Sequence, residues 1–139
     1  MLMNRTELAE SVEKGESETV EMKKSTSELK EAVISIVAML NKHQRGVLYF
    51  GIADDRRIIG QDVGKDTLRD ISRTIADSIE PRIYPEIKED ELGGKTIIQV
   101  NAEGREGLYY AYGRAYIRVG NENRLLSAKE LEEIILSKK

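Results

Sequence analysis

The feature that most constrains the fold is a nearly continuous apolar segment, VLYFGI, at residues 47–52. A strand with one wet face alternates polar and apolar residues, whereas an uninterrupted apolar strand is covered on both faces. The chain must therefore supply elements that pack against two faces of a sheet. One such element precedes the strand as an amphipathic helix, whose core-facing residues at helical spacing are Leu29, Val33, Ile36, Val37 and Leu40.

Shorter elements lie on either side of this helix and strand. Residues 6–14 predict a helix that ends at Gly15, because glycine readily adopts the left-handed conformation that closes a helix. Residues 19–23 alternate in polarity and predict a half-buried strand with Val20 and Met22 towards the core. After the buried strand, the sequence predicts a helix with Leu68, Ile71, Ile75 and Ile79 inward. Two strands at 83–91 and 95–102 follow, and then a hairpin of 109–112 with 115–119. The last helix begins at the capping box of Ser127 and Glu130 and has Leu131, Ile134 and Ile135 inward.

These elements predict an α+β fold with a mixed, mostly antiparallel sheet flanked by three to four helices. A chain of 139 residues can bury its own core, so we expect a single domain over residues 1–139. Residues 1–14 are a candidate N-terminal helical arm. No apolar run reaches the length of roughly 20 residues that a membrane-spanning helix needs.

Composition narrows the chemistry that is available. The absence of cysteine excludes disulfides, thiolate zinc sites and thiol nucleophiles, and it fits a cytoplasmic location. His43 is the single histidine, so a bound metal would be a hard cation held by oxygen, such as Mg²⁺ or Mn²⁺. The net charge of −3 argues against a uniformly basic nucleic-acid binder but leaves room for a local basic face.

Carboxylates near the N-terminus form the first candidate site. Glu21 and Lys23 are two residues apart on a predicted strand and therefore share a face, here the outward one. Glu16 precedes them, and Asp54 and Asp55 follow the buried strand in a turn. Such carboxylates can bind a divalent cation while the lysine neutralises a phosphate. An exposed ion pair and an ordinary aspartate turn explain the same residues, so the spacing leaves both interpretations open.

Tyrosines and arginines alternate in the segment YYAYGRAYIR at residues 109–118. On the predicted second strand of this hairpin, Tyr116 and Arg118 project outward and the residues between them inward. With Arg114 and Arg124 nearby, this surface could stack on bases and pair with phosphates. Tyrosine also favours strands and cross-strand packing, and this explanation has equal weight.

The remaining cations lie at the ends of elements. Lys24 follows Lys23 directly, where a phosphate could be bound. Lys42 and Arg45 flank His43 at a helix C-terminus, where the helix dipole favours positive charge. The dipole is a sufficient explanation, although the same cluster could also approach a phosphate.

Four segments in register carry a resemblance to a known family: ESETVEMKKS at 16–25, AMLNKHQRGVLYFGIADDRRIIGQ at 38–61, SIEPRIYPEI at 78–87 and YAYGRAYIRVGNENRLLSAKEL at 110–131. Together they resemble the Schlafen AlbA-type domain family over about residues 15–135. The resemblance implies a DNA- or RNA-binding domain of the transcriptional-regulator kind. Two domain copies form a groove in Schlafen nucleases, so a single copy implies a homodimer.

The resemblance also implies an alternative, a metal-dependent endoribonuclease that cuts structured RNA. In that case Glu16, Glu21 and Asp54 would be the metal ligands and catalytic acids, and Lys23 would stabilise charge. Where the family has a glycine-rich turn, this chain has NKHQRG at residues 41–46, which contains a single glycine. A non-catalytic interaction module is a third alternative. Under the binding hypothesis the expected nucleic-acid contacts are Lys24, Lys42, Arg45, Arg114, Tyr116, Arg118 and Arg124.

Overall fold

The computed structural model describes residues 5–105 and 107–137. Its main sheet has four strands: β1 (Val20–Lys23), β2 (Arg45–Phe50), β4 (Glu86–Leu92) and β5 (Lys95–Glu103). They lie in the order β1-β2-β5-β4. Strands β1 and β2 are parallel, and the other two pairings are antiparallel. The predicted α+β class with a mixed, mostly antiparallel sheet is therefore confirmed.

Helix α2 (Leu29–His43) connects the parallel strands β1 and β2. It follows a 3₁₀ turn, Thr26–Glu28, whose N-cap is Ser25: the Ser25 hydroxyl accepts a hydrogen bond from the Ser27 N–H at 3.2 Å. The helix ends at Gln44, which adopts φ 58° and donates its N–H to the Leu40 carbonyl at 3.0 Å. This left-handed residue turns the chain directly into β2.

Two hydrophobic clusters fill the two faces of the sheet. The larger one lies between the sheet and helices α2 and α3 (Thr67–Ser78). The smaller one lies under helix α1 (Arg5–Lys14), where Leu8 and Val12 are almost fully buried. Residues 5–14 are thus docked on the sheet, and residues 1–4 of the candidate arm lie outside the described residues. Both faces of β2 are covered, as its apolar sequence requires.

The segment after β5 differs from its prediction. Strand β6 (Tyr110–Ala111) pairs with β3 (Ile79–Glu80), and β7 (Tyr116–Val119) pairs with β8 (Glu122–Leu125). The predicted hairpin of 109–112 with 115–119 is therefore present only at its turn, where Ala111 and Arg114 exchange backbone hydrogen bonds at 2.8 and 3.0 Å, and the predicted longer ladder is wrong because 116–119 pair with 122–125. The physical reason is Asn41 on α2, whose side-chain amide donates hydrogen bonds to the Tyr109 and Tyr116 carbonyls at 3.0 and 2.8 Å. The helix takes up backbone groups that a hairpin would have paired.

Helix α4 (Ala128–Ser137) opens at the predicted capping box. The Glu130 N–H donates to the Ser127 hydroxyl at 3.1 Å, and the Ser127 N–H donates to the Glu130 carboxylate at 3.0 Å. The expected inward face is only partly formed: Leu131 and Ile134 are half-buried, no residue of α4 is fully buried, and Ile135 is 49% exposed. In the described ranges, the helices lack the length and apolar character that crossing a membrane requires.

Candidate nucleic-acid interface

Glu21 lies on the face of β1 that packs towards α2. Its register partner Leu48 belongs to the main core, whereas Met22 on the opposite face belongs to the smaller cluster under α1. Glu21 is only 4% exposed, so the prediction that it projects into solvent is wrong. The reason is that strand β7, whose Arg118 is 0% exposed, lies over this face and closes it from water.

Arg118 is the buried partner of Glu21. Its Nη1 donates to Glu21 Oε1 at 3.0 Å. Its Nε and Nη2 donate to the Ser17 carbonyl at 3.2 and 2.8 Å, and Nη2 also donates to the Val20 carbonyl at 3.0 Å. The predicted outward direction of Arg118 is therefore wrong, and its guanidinium is not accessible to a phosphate. It ties β7 to the turn that precedes β1.

Two further polar side chains complete this buried network, and the sequence reasoning missed both. Ser35 on α2 donates its hydroxyl to Glu21 Oε1 at 2.8 Å. Asn123 on β8 accepts from Arg118 Nη1 at 2.8 Å and donates to the Ser35 hydroxyl at 2.8 Å. Ser35 is a polar residue in the buried stripe of an otherwise apolar helix face, and that position was the available signal.

Glu16 lies beside the outer edge of β1. The chain makes a tight turn between Ser17 and Val20, which returns Glu16 alongside the strand. There its Oε2 accepts a hydrogen bond from the Met22 N–H at 3.1 Å. Burial raises the pKa of Glu16 to about 7, with the hydrogen bond to Glu21 and the negative charges of Glu21 and Asp54 acting in the same direction. Glu16 is therefore about half protonated at neutral pH and protonated in mild acid.

Glu21 behaves in the opposite way. Burial opposes its ionisation, but the hydrogen bond from Glu16, the charge of Arg118 and the hydrogen bonds from Ser35 and Arg118 together outweigh burial and lower its pKa. Below about pH 7 the pair thus consists of a protonated Glu16 and an ionised Glu21. Two acids whose pKa values are driven apart in this way titrate as a unit.

The third predicted ligand, Asp54, is exposed in the loop after β2. It lies near enough for its charge to raise the pKa of Glu16. Within the described residues, however, no three His, Asp or Glu side chains converge to hold a metal ion. The Glu21 carboxylate is already engaged by Arg118 and Ser35, and a buried guanidinium repels a cation. In this arrangement the three acids do not fit Mg²⁺ or Mn²⁺, and we derive no catalytic step from them.

Lys23, Tyr116 and Arg124 come together on the surface of the domain. They line an open groove of about 630 Å³ that we call the Lys23 groove, formed by Lys23, Glu31, Ile34, Tyr116, Val119, Glu122, Asn123 and Arg124. Tyr116 is half-buried and packs against the main core, so the prediction that it projects freely outward is only partly right. Arg124 is exposed and pairs with Glu130 at 3.1 Å. Lys23 thus shares one surface with two side chains that lie 93 and 101 residues later in the sequence.

The other predicted contacts lie elsewhere. Lys42 donates to Glu18 at 3.3 Å and to the Arg118 carbonyl at 3.2 Å. His43 lies 2.7 Å from Glu18, and the bonds from His43, the Gly120 N–H and Lys42 lower the pKa of Glu18 to about 2. This cluster links the end of α2 to the β7–β8 turn. Lys24, Arg45 and Arg114 are exposed and do not line the Lys23 groove.

Comparison with known proteins places these observations in a family. The model of the family described as Schlafen, AlbA_2 matches residues 16–127. The DIP2311 protein from Corynebacterium diphtheriae has a similar structure, with a TM-score of 0.67 and 17% identity over 84% of this chain. This chain spans 23% of the length of that one.

A second similar structure covers both chains almost completely. It is the N-terminal domain of a protein from Nitrosomonas europaea described as related to the ATP-dependent DNA helicase RecG. The TM-score is 0.63 and the identity 22%, over 91% of this chain and 92% of the other. No curated protein matches the chain significantly. At these identities, the two structures establish the shared fold.

Proposed function

Because the chain belongs to the Schlafen AlbA_2 family, we propose that it is a nucleic-acid-binding domain of the transcriptional-regulator-like kind, whose contact surface is the Lys23 groove. The observation that carries this proposal is the convergence of Lys23, Tyr116 and Arg124 on one open groove. The relationship of one similar structure to a DNA helicase supports the same class of partner.

The groove offers the side chains that nucleic-acid binding uses. Lys23 and Arg124 can each neutralise a backbone phosphate, and the half-buried Tyr116 on β7 lines the same groove. Glu31 and Glu122 also line the groove, so the surface is mixed in charge. A mixed groove predicts weak, salt-sensitive affinity for a single copy rather than tight binding.

A homodimer would raise this affinity by presenting two grooves to one nucleic acid. Leu125 is exposed beside the groove, at 47%. Pairing about a two-fold axis would bury it against its copy, because such an interface uses the same patch twice. Sedimentation velocity tests this step: a single monomeric species at high protein concentration would contradict it.

The buried Glu21–Arg118 pair has a separate role in this proposal. It fixes β7 to the turn before β1, and β7 carries Tyr116 and Val119 on the groove wall. The pair therefore positions the contact surface without touching the ligand. The acids of residues 16–21 therefore have a structural role in this proposal, and their geometry does not support the endoribonuclease alternative.

A mapping experiment tests the binding proposal. Isotope-labelled protein is titrated with tRNA, duplex DNA and a single strand while backbone amide resonances are followed. We expect the largest shifts at Lys23, Tyr116 and Arg124, with small shifts at Lys65 on the loop before α3. Shifts spread evenly over the surface, or none at low salt, would contradict the proposal. RNA cleavage that requires Mn²⁺ and disappears in Asp54→Ala, which changes an exposed carboxylate of the predicted ligand set, would instead support the nuclease alternative.

A further inference from the structure

The sheet face that carries α1 also contains a second cavity, remote in sequence from the Lys23 groove. It has a volume of about 310 Å³, within the range of small-ligand sites. It is called here the Tyr84 cavity, and the side chains that matter for its chemistry are Arg45, Tyr84, Glu86, Asn101 and Glu103.

The strand register explains how these residues meet. Asn101 on β5 lies between Val47 on β2 and Glu86 on β4, so the three occupy one row across the sheet. Arg45 and Glu103 are partners in the adjacent row. Residues in register on neighbouring strands share a face. Tyr84 stands at the rim just before β4, with 76% of its surface exposed.

Several polar groups of this face have no partner. Asn101 Nδ2 is buried without a hydrogen bond, and so are both amide atoms of Gln99, the next residue on the same face. Gln99 is 0% exposed. Buried polar atoms are paired in the great majority of cases, and an unpaired one costs free energy. Asn101 is half-buried and lines the cavity, and its Nδ2, which is itself shielded from solvent, would gain a partner if the amide turned towards an acceptor on a ligand.

The charged residues of the cavity show the same incompleteness. Among the ion pairs and side-chain hydrogen bonds of residues 5–105 and 107–137, none involves Arg45, Glu86 or Glu103. Glu86 and Glu103 are exposed and hydrated in the free chain, and a ligand in this cavity could offer N–H donors to them in place of water. Arg45 and Asn101 call for acceptors, and an exposed tyrosine ring calls for a flat partner.

We propose that the Tyr84 cavity binds a guanine base. Guanine has adjacent N1–H and N2–H₂ donors for a carboxylate, O6 and N7 acceptors for Asn101 and Arg45, and a plane that stacks on Tyr84. Adenine and uracil each offer fewer donors on one edge. The base can belong to a single strand or to a free nucleotide, and its binding does not depend on the Lys23 groove.

Mononucleotide titration is the direct test. GMP, IMP, AMP, CMP and UMP are added separately to the full chain, with calorimetry and amide shifts as readouts. We expect GMP to bind most tightly, IMP about tenfold more weakly because it lacks the N2 amine, and shifts centred on Tyr84 and Asn101. Equal affinity for GMP and AMP, absence of GMP binding, or shifts confined to the Lys23 groove would overturn the proposal.

Variants with matched controls separate the site from general effects. Tyr84→Ala and Glu86→Gln are expected to weaken GMP binding by about tenfold each, through lost stacking and a lost charged acceptor. Their controls are Tyr112→Ala and Glu91→Gln, which change an exposed tyrosine and an exposed glutamate of β4 outside the cavity. Equal loss in a variant and its control would overturn the assignment.

A further binding experiment, with a short single-stranded oligonucleotide, identifies the source of the base. A short single strand with one guanine is compared with GMP and with the same strand carrying inosine at that position. Tighter, Tyr84-dependent binding of the guanine strand than of GMP would assign the site to single-stranded nucleic acid. Equal affinities would assign it to the free nucleotide. Loss of GMP binding with retained salt-dependent binding of tRNA would overturn this inference and leave the proposed function standing.

Discussion

Arg118 Nη1 lies 3.0 Å from Glu21 Oε1, and both side chains are buried. This pair joins two segments that are 97 residues apart in sequence. An ion pair of this kind is costly to break, because removal of one partner leaves the other charge buried and uncompensated. It therefore makes the position of β7, and with it the wall of the Lys23 groove, sensitive to a single substitution.

Replacement of the buried arginine should strongly destabilise the domain. We expect Arg118→Ala to lower the free energy of unfolding by about 3–5 kcal/mol, since the Glu21 carboxylate would remain buried without its counter-charge. Chemical denaturation measures this directly. Arg114→Ala, which removes an exposed arginine, should change stability by about 0.5 kcal/mol or less. Similar losses in the two variants would contradict a structural role for the pair.

The shared proton of Glu16 and Glu21 predicts a particular dependence of stability on pH. The pKa of Glu16 rises from 4.5 to about 7 in the folded state, so between these values the folded chain binds more protons than the unfolded chain. The stabilisation is complete below pH 4.5 and is lost as the pH rises through about 7. The lowered pKa of Glu21 acts in the opposite sense as the pH falls.

Glu16→Gln tests this dependence because glutamine can still donate a hydrogen bond to Glu21 but cannot release a proton. Melting temperatures of the wild type and the variant are compared from pH 5 to 8. We expect the wild type to lose stability relative to Glu16→Gln across this range. Glu10→Gln, an exposed position on α1, should run parallel to the wild type. Parallel curves for all three proteins would show that Glu16 has no raised pKa.

The capping box of α4 allows a local prediction. Because no residue of α4 is buried, its stability depends on its own hydrogen bonds more than on packing. Ser127→Ala removes the acceptor of the Glu130 N–H and should cost about 1 kcal/mol, or about fivefold faster amide exchange within α4. Lys129→Ala, which changes an exposed side chain of the same helix, serves as the control. Unchanged exchange in Ser127→Ala would mean that other contacts hold the helix.

The sequence predicted those elements whose pattern is local. The stripe from Leu29 to Leu40, the apolar strand at 47–52 and the Ser127 capping box each depend on residues within a few turns of one another, and each is present. The direction of Arg118 was wrong because it depends on a helix more than seventy residues earlier. Asn41 and Ser35 on that helix decide how β7 lies, and no local pattern reveals this.

Only part of the candidate site could be predicted, because distant segments of the chain bring its residues together. The five-residue spacing of Glu16 and Glu21 places them together only because the chain turns at Ser17–Val20. Their pKa values depend on burial under β7, which the sequence around them does not specify. The convergence of Lys23, Tyr116 and Arg124 likewise arises from the packing of the β7–β8 hairpin on α2.

The most direct test of nucleic-acid binding at the Lys23 groove is the salt dependence of affinity for a pair of matched double variants. Anisotropy titrations with tRNA and duplex DNA, between about 50 and 200 mM salt, compare the wild type with Lys23→Ala/Arg124→Ala and with Lys65→Ala/Arg73→Ala. The second pair removes the same charge from exposed positions outside the groove. We predict that affinity falls as the salt concentration rises. The groove variant should bind more weakly, and its plot of log affinity against log salt concentration should have a slope shallower by about 2. The control pair should match the wild type. Absence of binding at low salt, or equal losses in the two double variants, would contradict the account.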